Sequence, residues 1–173
     1  VAAGKTFLIV VVPHSATCLI TVGPGIFVFI NSIWMKFYKG KFRPKNPSKY
    51  RGDYTKIVYR SLWERQVFRW CDEQSSVNSW SSEEDIIPYR CKTDGKLHRY
   101  FCDLRITFTS GKVYVIEIKP KAQTVEPKRR RKSPKYIREV MTYAKNISKW
   151  EAAEKWAKDR GYVFEIWTED TIK

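Results

Sequence analysis

Two charged residues interrupt an apolar run in the second half of the chain. The stretch Val113–Ile118 is apolar except at Glu117, and Lys119 follows directly. Its length is that of a buried β-strand. Burying an unpaired charge is costly, so Glu117 and Lys119 require charged partners or a metal ion. The strand therefore needs a neighbour that supplies one of these.

A hairpin supplies that neighbour. Arg99–Phe108 and Lys112–Lys119 are predicted strands, joined by a three-residue loop in which Gly111 takes the left-handed conformation. Pairing residue 108 with residue 112 places Asp103 opposite Glu117, on one face of the ribbon. Side chains two residues apart along a strand lie on the same face, so Lys119 shares the face of Asp103 and Glu117.

Two facing carboxylates repel each other, and a divalent cation between them removes that cost. Mg²⁺ takes oxygen ligands, usually one or two carboxylates with water and a substrate phosphate. A nearby lysine can orient or activate the attacking water, and Glu64 on a neighbouring helix can complete the ligand set or bind a second ion. These residues indicate metal-assisted phosphodiester hydrolysis. A Glu-x-Lys pair on a strand is, however, also common as a surface ion pair.

The remaining periodicity predicts an α/β (α+β) fold in which helices flank a mixed sheet, in the order αβββαβ. Besides the hairpin, the predicted elements are a helix capped by Thr55 that runs to about Asp72, an extended segment Asn78–Tyr89, a helix Tyr136–Arg160 ended by Gly161, and a strand Tyr162–Thr168.

The chain is strongly basic, with 33 Lys and Arg against 18 Asp and Glu, a net charge of +15. This excess favours a polyanionic partner, nucleic acid first and an anionic membrane second, although a merely solvated basic surface is the alternative. The densest basic run follows the Glu117 strand and predicts salt-dependent, largely sequence-independent contact with DNA phosphates. A solvated loop or a nuclear-localisation-like run are the other interpretations. The candidate DNA-binding residues are Lys121, Lys128, Arg129, Arg130, Arg131, Lys132 and Lys135.

The sequence lacks the motifs of several other classes of protein. The chain has two His and four widely spaced Cys, with no Cys-x-x-Cys, which argues against a His-rich metal site, a zinc knuckle and a dense disulfide framework. No phosphate-binding or dinucleotide-binding glycine motif is present, so no nucleotide cofactor is expected.

Residues 1–34 differ from the rest, since Lys5 is their single charged residue. Pro13 and Gly23-Pro24-Gly25 divide them into strand-length pieces, shorter than the roughly 20 apolar residues of a membrane span. Three interpretations remain: a membrane anchor, extra strands, or translated sequence upstream of a true start at Met35. The predicted organisation is this apolar segment, a basic arm over residues 35–53, and a domain over residues 54–173.

The set Glu64, Asp103 and Glu117-Ile-Lys119 resembles the PD-(D/E)xK nuclease superfamily. Within it, the chain is similar to the TnsA-like endonucleases and, most of all, to the head completion nucleases of T-even-like tailed phages. The resemblance covers roughly residues 36–172 in order and spacing, and leaves residues 1–35 without a counterpart. Cys102 stands where the family usually has Pro. The stretches that carry it are 44–53, 59–64, 87–89, 99–103, 116–120 and 168–170.

The resemblance implies a restriction-endonuclease-like core and an endonuclease that uses Mg²⁺, with Mn²⁺ as an alternative, on double-stranded DNA. It implies Asp103, Glu117 and Lys119 as the metal and catalytic set and Glu64 as the helix carboxylate. It also implies a place in the virion, after assembly in the host cytoplasm, with capsid, portal or neck proteins as partners. The chain would act on packaged DNA or the filled head before tail joining. A non-cutting DNA-binding virion protein and a transposition or defence endonuclease are the alternatives, and a membrane is expected only if residues 1–34 are native.

Overall fold

The computed structural model describes residues 19–21, 27–29, 38–128, 131 and 133–172, which fall into two units divided after Tyr38. In the first unit, β1 (Leu19–Thr21) and β2 (Phe27–Phe29) pair antiparallel. The rest of residues 1–34 and Met35 lie outside the described residues, so the start at Met35 and the domain boundaries stay predictions. Among the described helices, none has the length and apolar character needed to cross a membrane.

The second unit carries the remaining elements, two helices and eight strands as far as the structure describes it. In chain order they are β3 (Gly40–Lys41), β4 (Val58–Tyr59), α1 (Leu62–Glu73), β5 (Val77–Ser81), β6 (Ile86–Arg90), β7 (Leu97–Phe101), β8 (Leu104–Phe108), β9 (Val113–Ile118), α2 (Pro134–Lys158) and β10 (Val163–Trp167). Short 3-10 turns lie at Pro47–Lys49 and Lys121–Gln123.

The main sheet is mixed, as the sequence predicts. Its strand order is β10-β9-β8-β5, with β10 parallel to β9 and the other neighbours antiparallel. The β6–β7 hairpin and the β3–β4 pair form separate two-stranded sheets. The strand β9, which carries Glu117, is thus enclosed by a neighbour on each side.

Side-chain alternation along β9 divides the core in two. Ile116 packs with α1, where Val67 and Phe68 are buried. Val115 packs on the other face with the β6–β7 hairpin and with Ala153 of α2. Because Glu117 is two residues beyond Val115, its side chain belongs to the face covered by α2 and the hairpin.

The start of α1 corrects one sequence prediction. The helix begins at Leu62 with Ser61 as its N-cap, so Thr55 does not cap it. The Thr55 hydroxyl and amide both donate to Asp53 Oδ1, which fixes a local turn instead. The strand β4, which pairs with β3, lies between this turn and the start of α1.

One predicted extended segment and one predicted strand are each divided into two strands, so the observed order from α1 onward is αβββββαβ rather than αβββαβ. The segment Asn78–Tyr89 breaks into β5 and β6 at Glu83, whose φ of +55° lies in the left-handed region. The segment Arg99–Phe108 breaks into β7 and β8 at Cys102. The Cys102 amide donates to Asp85 O and its carbonyl accepts from Glu83 N, so the two breaks are bonded to each other.

The second helix agrees with its prediction to within two residues at either end. Gly161, at a φ of +71°, follows it as the predicted stop. Trp150 is buried, whereas Val140 is 37% exposed. The contacts of α2 with β6, β10 and the buried core involve its second half, so the first half presents Val140 to solvent.

Part of the predicted basic arm is anchored to α1. Tyr50 is buried and makes an edge-to-face contact with Trp80, with ring centroids 4.8 Å apart. Lys49 Nζ donates to the carbonyls of Asp72 and Gln74 at the carboxyl end of α1. This cation therefore satisfies helix-end carbonyls, which favour positive charge.

Candidate active site

The β8–β9 register brings Asp103 to Glu117. Leu104 pairs with Ile116 and the Phe108 amide donates to Lys112 O, so the predicted pairing of residue 108 with residue 112 is confirmed. Asp103 lies immediately before β8, and its Oδ2 accepts a hydrogen bond of 2.8 Å from the Ile118 amide. A backbone donor of the Glu117 strand thus fixes the Asp103 carboxylate.

Both oxygens of Glu117 have partners. This side chain is among the most buried in the protein, with the residue 1% exposed. Tyr100 donates its hydroxyl to Oε2 over 2.5 Å, and Lys119 Nζ lies 2.9 Å from Oε1. The Lys119 amide also donates to Trp167 O of β10, which positions the start of its side chain.

Electrostatic coupling links the three charged groups. Burial, reinforced by the charge of Glu117, raises the pKa of Asp103 well above its usual range, against the opposing effects of Lys119 and the Ile118 amide. Burial alone lowers the pKa of Lys119, but Glu117 and Asp103 outweigh it, so the pKa is raised and the ammonium persists. The site is one in which an additional positive charge is electrostatically favourable.

Tyr100 is a site residue that sequence reasoning missed. Burial, together with Cys102 and Glu117, raises its pKa, so the phenol keeps its proton and remains the donor to Glu117. Lys149 of α2 lies over its ring, with Nζ 5.4 Å from the centroid. The sequence feature that could have indicated this role is that Tyr100, an aromatic residue with a hydroxyl, lies three residues before Asp103 in a predicted strand. The pairing that brings it to Glu117 is not local in sequence.

Glu64 occupies the first turn of α1 and is hydrogen-bonded to the N-cap residue, Ser61. The Ser61 hydroxyl accepts from the Glu64 amide and donates to Glu64 Oε1, while Oε2 accepts from the Arg60 amide. Burial raises the pKa of Glu64, and its charge acts on both Asp103 and Lys119. Among the described residues, Glu64, Asp103 and Glu117 do not form a group whose ligand oxygens all lie within 4.8 Å of one another.

The donor set of Asp103 and Glu117 fits a hard divalent cation. The β8–β9 register places the two carboxylates on one face of the ribbon, and the raised pKa of Asp103 reports the repulsion and desolvation that a cation would relieve. Carboxylate oxygens are the ligands that Mg²⁺ and Mn²⁺ prefer. Lys119 Nζ forms an ion pair with Glu117 Oε1, an oxygen that such a cation would also bind.

The basic segment after β9 is described only in part. Lys121 forms an ion pair with Asp170 over 2.8 Å, and its amide donates to Glu169. Lys128 and Lys135 line a groove between this segment and α2. Arg131 is exposed, whereas Arg129, Arg130 and Lys132 lie outside the described residues. The DNA-binding role of these residues stays a prediction.

The mixed sheet, its helices on both faces, and the meeting of Asp103 with Glu117-Ile-Lys119 define a nuclease domain of the PD-(D/E)xK class. Residues 74–169 match the family model described as the TnsA-like endonuclease N-terminal domain. The chain is also 43% identical over 141 residues to the head completion nuclease of Enterobacteria phage T4, a match that covers 79% of this chain and 94% of that protein. The chain belongs to the TnsA-like endonuclease family. Glu64 precedes the residues that the family model matches.

Proposed function

We propose that the chain is a metal-dependent DNA endonuclease of phage head completion. The observation that carries the proposal is the meeting of Asp103, Glu117 and Lys119 through the β8–β9 register and the 2.9 Å contact of Lys119 with Glu117. Family membership supports the endonuclease class, and the name of the phage T4 relative supports head completion.

In this proposal, Asp103 and Glu117 hold Mg²⁺ or Mn²⁺, and Glu64 is an auxiliary ligand. Each Glu64 oxygen accepts one hydrogen bond in the structure and keeps lone-pair capacity. A bound ion supplies Lewis-acid polarisation of the phosphodiester and lowers the pKa of a water molecule. Tyr100 holds Glu117 in place, and Lys119 orients the water or a phosphate oxygen.

The DNA would lie along the basic segment that follows β9. Lys121, Lys128 and Lys135 frame this approach. Contacts with phosphates position the duplex without reading its sequence. Since Lys121 is already paired with Asp170, we expect its contribution to be smaller than that of Lys128 or Lys135.

The test is cleavage of supercoiled, nicked and linear duplex DNA by the full chain with Mg²⁺, Mn²⁺ or EDTA. Asp103→Asn and Lys119→Ala are expected to lose at least about 100-fold in rate, in line with the loss of a positioned catalytic group. Asp159→Asn and Lys145→Ala are matched controls, because both residues are exposed and lie on α2 or at its end. We expect the controls to cut like the wild type.

Three outcomes would count against the proposal. No cutting with any ion refutes the enzyme, and retained DNA binding in that case favours the non-cutting virion protein. Site variants as active as the wild type refute the site. The head-completion role is tested by cosedimentation with DNA-filled heads of a T-even-like phage, and the lack of binding to filled heads refutes that role alone.

A further inference from the structure

The turn of the β6–β7 hairpin brings together a thiol, a carboxylate and an imidazole. One ligand atom each from Cys91, Asp94 and His98 lies within 4.8 Å of the other two. The Cys91 amide donates to Lys96 O, and the Gly95 amide donates to Cys91 O, so two backbone bonds tighten the turn. Gly95 has a φ of +67°, which lets the chain reverse at this point.

Each of the three side chains is held by a further contact, and that of Cys91 is the 3.0 Å hydrogen bond between its Sγ and the Thr93 hydroxyl. Asp94 Oδ1 accepts from the Lys96 amide over 3.0 Å, which turns Oδ2 to His98 Nε2 at 2.9 Å. The His98 ring stacks on Tyr89, with centroids 5.6 Å apart. Metal-binding side chains in proteins are commonly fixed in this way by outer contacts.

The chemistry of the donors selects the ion. Thiolate and imidazole ligands suit zinc and similar borderline cations, whereas Mg²⁺ takes oxygen ligands. The spacing Cys91-x2-Asp94-x3-His98 matches the short separations of zinc ligands within one loop. Cys91 is buried, while the Asp94 and His98 side chains are 39% and 41% exposed, which leaves room for water as a fourth ligand.

We propose that Cys91, Asp94 and His98 form a zinc-class cation site at the turn of the β6–β7 hairpin, separate from the carboxylate site at Asp103 and Glu117. Binding deprotonates the Cys91 thiol and releases that proton to solvent, and His98 binds as the neutral imidazole. In the structure, His98 Nε2 contacts Asp94 Oδ2.

The place of this site in the fold gives it a structural effect. The hairpin carries Tyr100, which donates to Glu117, and its turn is bonded to α2 through the Lys92 amide and Ser148 Oγ at 3.1 Å. A cation that ties Cys91 to His98 links the end of β6 to the start of β7. It would stabilise the hairpin without entering the proposed reaction.

The experiment is a Co²⁺ titration of the full chain, freed of metal with EDTA and then kept in excess Mg²⁺, which occupies oxygen-only sites. We expect one Co²⁺ per chain with a near-ultraviolet thiolate-to-cobalt charge-transfer band, and displacement of Co²⁺ by Zn²⁺. Cys91→Ser should abolish the band, and His98→Ala should weaken binding by about tenfold or more. Cys71→Ala and Cys102→Ala are the matched controls, since both thiols are buried elsewhere and should leave the band unchanged.

The absence of a thiolate band in the wild type overturns the proposal, as does a band that persists in Cys91→Ser. If Cys91→Ser fails to fold, His98→Ala and Asp94→Asn decide, because both residues are partly exposed. Unchanged Co²⁺ affinity in both variants would overturn the proposal. The result is independent of DNA cleavage, so failure of either proposal leaves the other intact.

Discussion

Deletion of a single oxygen atom tests how the buried Glu117 is held. Tyr100→Phe removes the hydroxyl that donates to Glu117 Oε2 and retains the ring that packs between the sheet and α2. A hydrogen bond to a charged group contributes about 1.5–3 kcal/mol to stability. Water cannot readily replace the lost donor, because Glu117 is 1% exposed. We therefore expect the free energy of unfolding to fall by about 2 kcal/mol.

The same change should slow DNA cleavage by about tenfold, the rate equivalent of about 1.4 kcal/mol. Tyr100 acts through Glu117, so the variant should also need a higher Mg²⁺ concentration for half-maximal rate, and saturating Mg²⁺ should restore part of the activity. A catalytic residue that contacted the reacting atoms would not be rescued in this way.

The measurements are urea unfolding in EDTA at pH 7, and cleavage rates over a range of Mg²⁺ concentrations. Tyr89→Phe is the matched control, since Tyr89 is also buried in the hairpin and packs in the same core but stacks on His98. An unfolding midpoint of Tyr100→Phe equal to that of the wild type would refute the reasoning. So would an equal fall in Tyr89→Phe, because the loss would then not be specific to Glu117.

Three further predictions concern other parts of the site. Because its pKa is raised, Asp103 binds a proton more readily in the folded protein than in the unfolded chain. The stability of the wild type in EDTA should therefore decrease as the pH rises from the ordinary carboxyl range to the raised pKa. Asp103→Asn should lose this pH dependence and be more stable at neutral pH, and urea midpoints that keep the dependence in the variant contradict the prediction. Ser61→Ala removes the N-cap of α1 and should lower the free energy of unfolding by about 1 kcal/mol in the same urea assay, whereas no change would mean that this cap is not stabilising. Lys128→Ala should reduce the logarithmic salt dependence of DNA binding by about 1, and Lys121→Ala by less, because Lys121 is ion-paired; equal reductions would argue against that difference.

Local signals predicted the centre of the site. Gly111 marked the hairpin loop, and the structure confirms it at a φ of +82° with the residue 108 to residue 112 pairing. That pairing places Asp103 beside Glu117 and Lys119, because a hairpin register follows from its loop. A sequence therefore predicts this part of a candidate site when its residues lie on or beside two strands joined by a short turn.

Non-local contacts account for what the sequence did not predict. The break at Cys102 depends on backbone bonds to residues 83 and 85, and these residues belong to another loop. The partnership of Tyr100 with Glu117 crosses from the hairpin to the main sheet. The choice of Ser61 over Thr55 as a helix cap depends on Asp53 and on the β3–β4 pair, since both hydroxyl residues are suitable caps on their own.

The order of synthesis gives the parallel β9–β10 pair a biological consequence. A growing chain emerges from its amino end, so Asp103, Glu117 and Lys119 leave the ribosome before Trp167 does. Until β10 pairs, β9 is an edge strand, and the Lys119 amide lacks the Trp167 carbonyl as its acceptor. A nascent chain thus carries the residues of the proposed site without the strand that aligns them. Alignment of the proposed site therefore waits until β10 has been made and has paired with β9.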